Sequence, residues 1–197
     1  MEPRTAAVRR TTSETDITCT LNLDGSGKAA VNTGIGFFDH MLNGFAKHGL
    51  FDLELTCKGD LNVDSHHSVE DCGIVLGEAI KQALGEKKAI KRFGSFILPM
   101  DETLVLCAID LSGRPYLRNN TAYTVPKIGD LDTEMVNEFF YAVSYSAGMN
   151  LHLKQLDGVN NHHIAEASFK AFGKALDIAT MYEERLDGNI WSTKGVL

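Results

Sequence analysis

Apolar residues recur along the chain in two rhythms. Ile17, Cys19, Leu21 and Leu23 alternate with polar residues, the pattern of a strand with one buried face, and Asp24-Gly25-Ser26-Gly27 then turns the chain. Phe51 to Cys57 and Leu151 to Leu156 read as strands or short hairpins, followed by the turn signals Lys58-Gly59-Asp60 and Asp157-Gly158. Phe96 to Leu98, Thr103 to Asp110 and Tyr116 to Leu117 form a further strand group, with Ser112-Gly113-Arg114-Pro115 as a turn. The helical rhythm marks Phe37 to His48 and Thr133 to Ala147, followed by Gly49 and Gly148 as candidate left-handed glycines just past the helix end. Two longer helices span about Ser65 to Leu84 and Asn161 to Tyr182. They are apolar over much of their circumference (Val75, Leu76, Ala79, Ile80; Phe169, Phe172, Ala175, Leu176), which predicts burial between sheets.

These elements come in two sets. His66-His67-Ser68-Val69-Glu70 returns 96 residues later as His162-His163-Ile164-Ala165-Glu166, and downstream Gly77 matches Gly173 and Ala79 matches Ala175. Upstream, setting Gly49 against Gly148 pairs the two preceding helices. The chain therefore reads as an internal duplication, each half a sheet with two helices. With no Pro/Gly/Ser-rich linker between them, the halves are expected to form one compact unit.

The repeated cluster predicts metal chemistry. Residues i and i+4 share a helix face, so His66 with Glu70, and His162 with Glu166, can each grip one ion. His67 and His163 point about 100° away and are free to reach a different ion. Two copies facing each other would give two similar sites, each with a clamp from one copy and a lone histidine from the other. Asp64-Ser65 and Asn160-Asn161 are N-cap residue types, and the positive helix end is expected to keep the imidazoles neutral.

Composition narrows the field. A chain of 197 residues with 44% hydrophobic and 23% charged content suits a globular protein with a sizeable core. The net charge of −7 and the lack of a basic run argue against nucleic acid. No apolar run is long enough for a membrane span, and the N-terminal arginine-bearing segment lacks the apolar stretch of a secretory signal; its first few residues are expected to fray. Cys19, Cys57, Cys72 and Cys107 are scattered, which fits buried thiols in a reducing compartment, the cytoplasm.

Other residues are candidates by type. His40 lies in a mostly apolar helix and by itself reads as a core histidine. Setting Gly49 against Gly148 places Asp39 opposite Glu138 and His40 opposite Phe139, so Glu138 is a candidate ligand for the second site. His152 lies on a strand. His48, at a helix end, is expected to be stabilised when protonated. Arg92, Arg114, Lys170 and the terminal Ser192-Thr193-Lys194-Gly195 are candidates for an anion, though singly each reads as a solvated charge. Glu14 precedes the first strand and is unremarkable alone.

Five segments together closely resemble the imidazoleglycerol-phosphate dehydratase family: Gly34-Ile35-Gly36-Phe37-Phe38-Asp39-His40-Met41-Leu42, Asp64 to Asp71, Leu111 to Tyr116, Asn161 to Ala167 and Ser192 to Gly195. The resemblance covers about Arg9 to Gly195. It implies an α+β fold of internally duplicated halves, with a helical layer packed between two four-stranded mixed β-sheets. The pseudo-repeats would span about 9–95 and 96–190, followed by a substrate-binding tail. It implies two Mn²⁺ ions per subunit, assembly into a 24-mer built from trimers, and active sites between subunits. The implied ligands are His40, His66, His67, Glu70, His162, His163, Glu166 and position 138, where the family often has His and this chain has Glu138. Glu14 would contact substrate. Arg92, Arg114, Lys170, Ser192 and Lys194 would hold its phosphate, with His48 also at the substrate, while the pattern gives His152 no ligand role. The implied catalytic set is Glu14, His40, His67, Glu70, His162 and Glu166. The length leaves no room for the phosphatase domain fused in some members, so a monofunctional form is expected.

The implied reaction removes water from imidazoleglycerol phosphate in histidine biosynthesis. The lost hydrogen is not beside a carbonyl, so a metal on the substrate imidazole would have to help the ring push out hydroxide. Two other readings stay open on the residues alone: a two-metal hydrolase of phosphoesters or amides, and a metal-storage or scaffold protein.

Overall fold

The computed structural model describes residues 3–197. Its elements run β1 (Thr5–Thr11), β2 (Thr15–Asn22), β3 (Ala29–Asn32), α1 (Gly36–Gly49), β4 (Asp52–Gly59), α2 (His66–Leu84), β5 (Phe93–Met100), β6 (Thr103–Asp110), β7 (Tyr116–Asn120), β8 (Lys127–Ile128), β9 (Leu131–Asp132), α3 (Glu134–Ala147), β10 (Asn150–Asp157) and α4 (Asn161–Thr180). The long helices are found where the apolar pattern put them, with α4 two residues shorter at its end than expected.

Two four-stranded sheets repeat one topology. The first has the order β1-β2-β4-β3 and the second β5-β6-β10-β7. In both, the first two pairings are antiparallel and the last is parallel, so both sheets are mixed. A small β8–β9 ribbon precedes α3. The expected α+β architecture of two four-stranded mixed sheets with a helical layer is therefore the one observed.

The helices lock the halves together. α2 lies on β1 and β2 and packs against α3 of the other half, while α4 lies on β5 and β6 and packs against α1. Buried phenylalanines fill the layer, with Phe139 stacked on Phe169 at 5.0 Å and Phe45 on Phe172 at 5.0 Å. The crossings are tight because each uses a glycine. A Cβ on Gly173 would lie 2.5 Å from the Phe45 carbonyl oxygen and 3.1 Å from the Gly49 amide. One on Gly77 would lie 2.7 Å from the Val143 carbonyl oxygen and 3.0 Å from the Ala147 amide.

That correspondence corrects the glycine alignment. Phe45 and Gly49 stand to Gly173 as Val143 and Ala147 stand to Gly77. Five residues before Phe45 is His40, and five residues before Val143 is Glu138. The structural partner of His40 is thus Glu138 and not Phe139. Gly49 is not the left-handed residue past α1; Leu50 is, at φ 59°, and its counterpart is Gly148 at φ 65°.

The N-terminal segment is ordered from Thr5, where alternate residues Ala6 and Val8 are buried and the strand pairs with β2. Arg10 is fixed to Asp71 of α2 at 2.9 Å. Residues 1 and 2 of the expected frayed tail lie outside the described residues. The four cysteines are free and buried, as expected. No helix among the described residues is long and apolar enough to cross a membrane.

Candidate metal centre

Each histidine pair opens a helix. The Asn160 side chain caps α4 by accepting the His162 and His163 amides at 2.9 and 3.3 Å. At α2 the corresponding acceptor is Asp64, 2.8 Å from the His66 amide. The caps fix the first turn, and the i, i+4 spacing then aims each clamp.

The second-half clamp is closed. His162 Nε2 lies 3.0 Å from Glu166 Oε2, and His40 Nε2, arriving from α1, lies 3.4 Å from the same oxygen. One ligand atom from each of the three falls within 4.8 Å of the others. His40 is half exposed, so the core reading of this histidine is wrong: it reaches the clamp because α1 crosses α4 at Gly173. Glu166 is buried, and Lys170 Nζ stands 2.6 Å from its other oxygen. Burial alone would raise the Glu166 carboxyl, but the Lys170 hydrogen bond and charge and the His162 contact hold it below its ordinary value. A buried carboxylate flanked by two imidazoles suits a borderline divalent cation, so the donor set fits a metal.

The first-half clamp is looser, with His66 Nε2 3.8 Å from Glu70 Oε2. Glu138 of α3 occupies the place that His40 holds in the second half, and Glu138 and Glu70 are both near enough for their charges to act on Tyr141. The Tyr141 hydroxyl is pushed up chiefly by hydrogen bonding with Tyr145 and further by these two carboxylates.

The lone histidines do not cross to the other clamp within the chain. His67 Nδ1 sits 3.1 and 3.2 Å from the Asp60 oxygens, with Glu14 3.8 Å from its Nε2. His163 Nδ1 meets Glu102 at 2.8 Å, and Asp101 lies 3.8 Å from its Nε2. These carboxylates outweigh the helix dipole. The hydrogen bond to Asp60 raises His67 and the one to Glu102 raises His163 above the ordinary 6.5, contrary to the expectation that the helix start keeps them neutral. Asp60 and Glu102 were not singled out in the sequence. The available signal was an acid in the turn flanking each helix's supporting strands.

A pH dependence follows. In the metal-free protein the two charged pairs contribute stability that is fully present below pH 6.5 and lost as pH rises through the raised folded values. For metal binding the sign is opposite, because a ligand nitrogen must lose its proton. Divalent-ion affinity is expected to start weakening while pH is still above 6.5 as it falls, and chelator competition from about pH 8 to pH 6 measures this.

The cationic candidates divide. Arg92, Arg114, Ser192 and Lys194 line one cavity of about 430 Å³ together with Trp191 and Leu197. Arg92 is committed to structure: its guanidinium holds Asp110 at 2.7 and 3.1 Å and the Trp191 carbonyl at 2.8 Å, which docks the tail. Among the described residues neither Arg114 nor Lys194 has a side-chain ion pair. Lys170 does not line this cavity; it pairs with Glu166 at 2.6 Å. His48 is exposed at the end of α1. Loss of solvation, then Lys170 and Lys174, lower its value, which overrides the favourable helix-end dipole expected for it. His152 lies on β10 beside Tyr116, 5.9 Å between ring centroids, and belongs to neither clamp.

The model of the imidazoleglycerol-phosphate dehydratase family matches residues 33–176. The chain belongs to the imidazoleglycerol-phosphate dehydratase family. It is 67% identical to the imidazoleglycerol-phosphate dehydratase of Lachnoclostridium phytofermentans over 98% of both chains. It is 62% identical to that of Acetivibrio thermocellus, covering 96% of this chain and 97% of that one. The Staphylococcus aureus dehydratase structure superposes with a TM-score of 0.82 at 38% identity, covering 91% of this chain and 99% of that chain. The Pyrococcus furiosus family structure, in complex with (S)-C348, gives 0.84 at 39% identity, covering 96% and 100%. Both clamps lie within the family's matched region, and the tail at Ser192 lies beyond it.

Proposed function

We propose that the protein is a manganese-dependent hydro-lyase that converts imidazoleglycerol phosphate to imidazole acetol phosphate in histidine biosynthesis. The observation that carries this reading is the convergence of His40, His162 and Glu166, from two halves of the chain, on one spot in a member of this family. His40, His162 and Glu166 would hold one ion, and His66, Glu70 and Glu138 the other, giving two per subunit. His67 and His163 would each complete a site, supplied across subunit contacts in a 24-mer built from trimers. The chain would act as one unit of two pseudo-repeats, about 9–95 and 96–190, with a substrate-binding tail. Its place would be the cytoplasm.

Ions held by these residues would supply Lewis-acid charge to polarise the substrate ring and ease loss of hydroxide. The residues of the chain do the rest. Glu14, half exposed at a hairpin tip beside His67, would move a proton. Arg114, Ser192 and Lys194 would grip the phosphate, and Arg92 holds the tail against them. Lys170 favours the ionised form of Glu166, and its ammonium would also draw the substrate's phosphate.

The test is turnover of imidazoleglycerol phosphate by the Mn²⁺-loaded protein, with product followed alongside inorganic phosphate. Product without phosphate release supports the dehydratase; phosphate release supports the two-metal hydrolase. Arg114→Ala is expected to raise KM roughly 10- to 150-fold with metal content unchanged, since one charged hydrogen bond to phosphate contributes about 1.5–3 kcal/mol. Steady-state kinetics with metal analysis checks both halves of that statement.

A further inference from the structure

The two halves repeat a second, shorter sequence. Glu14-Thr15 opens β2 and Glu102-Thr103 opens β6. Both threonines are buried, and both glutamates stand at the hairpin tip that joins the first two strands of their sheet. Each glutamate meets the second histidine of its own half, but at a different nitrogen. Glu14 faces His67 Nε2 at 3.8 Å, whereas Glu102 accepts from His163 Nδ1 at 2.8 Å.

The difference has a local cause. In the first half Asp60, just past β4, already takes His67 Nδ1. At the corresponding end of β10, Asp157 turns onto the Gly158 amide at 2.8 Å, and among the described residues it is Glu102 that meets His163 Nδ1. Glu102 is itself fixed. Its Oε1 accepts from the Asn160 amide at 2.9 Å, the Val159 amide at 3.3 Å and the Thr103 hydroxyl at 3.0 Å, which leaves Oε2 for the imidazole. An acceptor held on Nδ1 makes that nitrogen carry the proton of the neutral ring and turns the Nε2 lone pair outward. On that side the Asp101 carboxylate lies 3.8 Å away and is 80% exposed.

We propose that Glu102 is a positioning residue that sets the tautomer and direction of His163 for metal binding, while its duplicate Glu14, relieved of that task by Asp60, is left to face the substrate. The inference rests on the two-ion reading above and deepens it.

Titration of the full-length protein with Mn²⁺, with free ion followed by electron paramagnetic resonance, tests it. The unaltered protein is expected to take up two ions per chain. Glu102→Ala is expected to weaken one of them roughly 10- to 100-fold and leave the other within about twofold, in the range for partners behind a ligating histidine. Glu102→Gln has one acceptor oxygen in place of two, so with that oxygen turned to Nδ1–H it loses the Asn160 contact and is expected to regain only part of the lost affinity. Wild-type affinity for both ions in Glu102→Ala overturns the positioning role. So does equal weakening of both ions, which a general loosening of α4 would produce, and so does a Gln variant as weak as Ala. No Mn²⁺ uptake by the unaltered protein overturns the metal reading itself.

Discussion

Stripped of divalent metal by a strong chelator, the protein is expected to lose all measurable turnover of imidazoleglycerol phosphate, and Mn²⁺ is expected to restore it. The proposed ligands come from α1, α2, α3 and α4, and no acid in either clamp could replace the ion's charge. Glu166 is already shared among His162, His40 and Lys170. If the proposed assembly forms with sites completed by a neighbouring chain, it is expected to loosen in parallel, because such sites would hold that chain in place. Activity assays and light scattering on the same chelated sample measure both effects. Normal turnover by a sample shown to be metal-free would sink the proposal.

The second large effect is expected from Glu166→Gln. This carboxylate is the acceptor common to both histidines of the closed clamp, and it is buried. An amide of the same shape cannot supply the negative charge, and it leaves the Lys170 ammonium without its partner. Affinity for one ion is expected to fall by more than about 100-fold, beyond what loss of a partner behind a ligand gives. Most activity should go with it, and Glu70→Gln should do the same at the other ion. His152→Asn is the control, since that ring stacks near Tyr116 and touches neither clamp. Metal analysis of the three variants decides the matter: a His152 loss larger than either glutamate loss would overturn the ligand assignment.

Much of this was legible in the chain because it is local. The His-His-x-x-Glu repeat sits on i, i+4 spacing, and the apolar girth of α2 and α4 announced their burial. What depended on contacts across the chain was not. β1 carries two arginines, and their partners, Asp16 and Asp71, could not be read from Arg9 and Arg10. β3 has no apolar alternation because it is an exposed edge strand. Gly49 looked like a helix terminator, yet a side chain there would meet the Phe51 ring and, at 3.0 Å, the Gly173 carbonyl oxygen of α4, and Leu50 takes the left-handed turn. That single-residue slip hid the equivalence of His40 and Glu138. The directions of His67 and His163 followed from Asp60 and Glu102, acids whose relation to the helices is set by the sheets.

The exchange of helices between the halves has a wider meaning. α1 of the first half completes the clamp of the second, and α3 of the second stands in the same place for the first. Each half supplies its own His–Glu clamp, but neither would complete an ion site from its own residues. The chain has the geometry of a symmetric dimer joined end to end, and joining it let the two partners become unlike: histidine at position 40, glutamate at position 138. A dimer of identical subunits would have to build both ion sites from the same donors. Under the proposed ligand assignment the fused form could tune them separately, one with two imidazoles and a carboxylate, the other with one imidazole and two carboxylates.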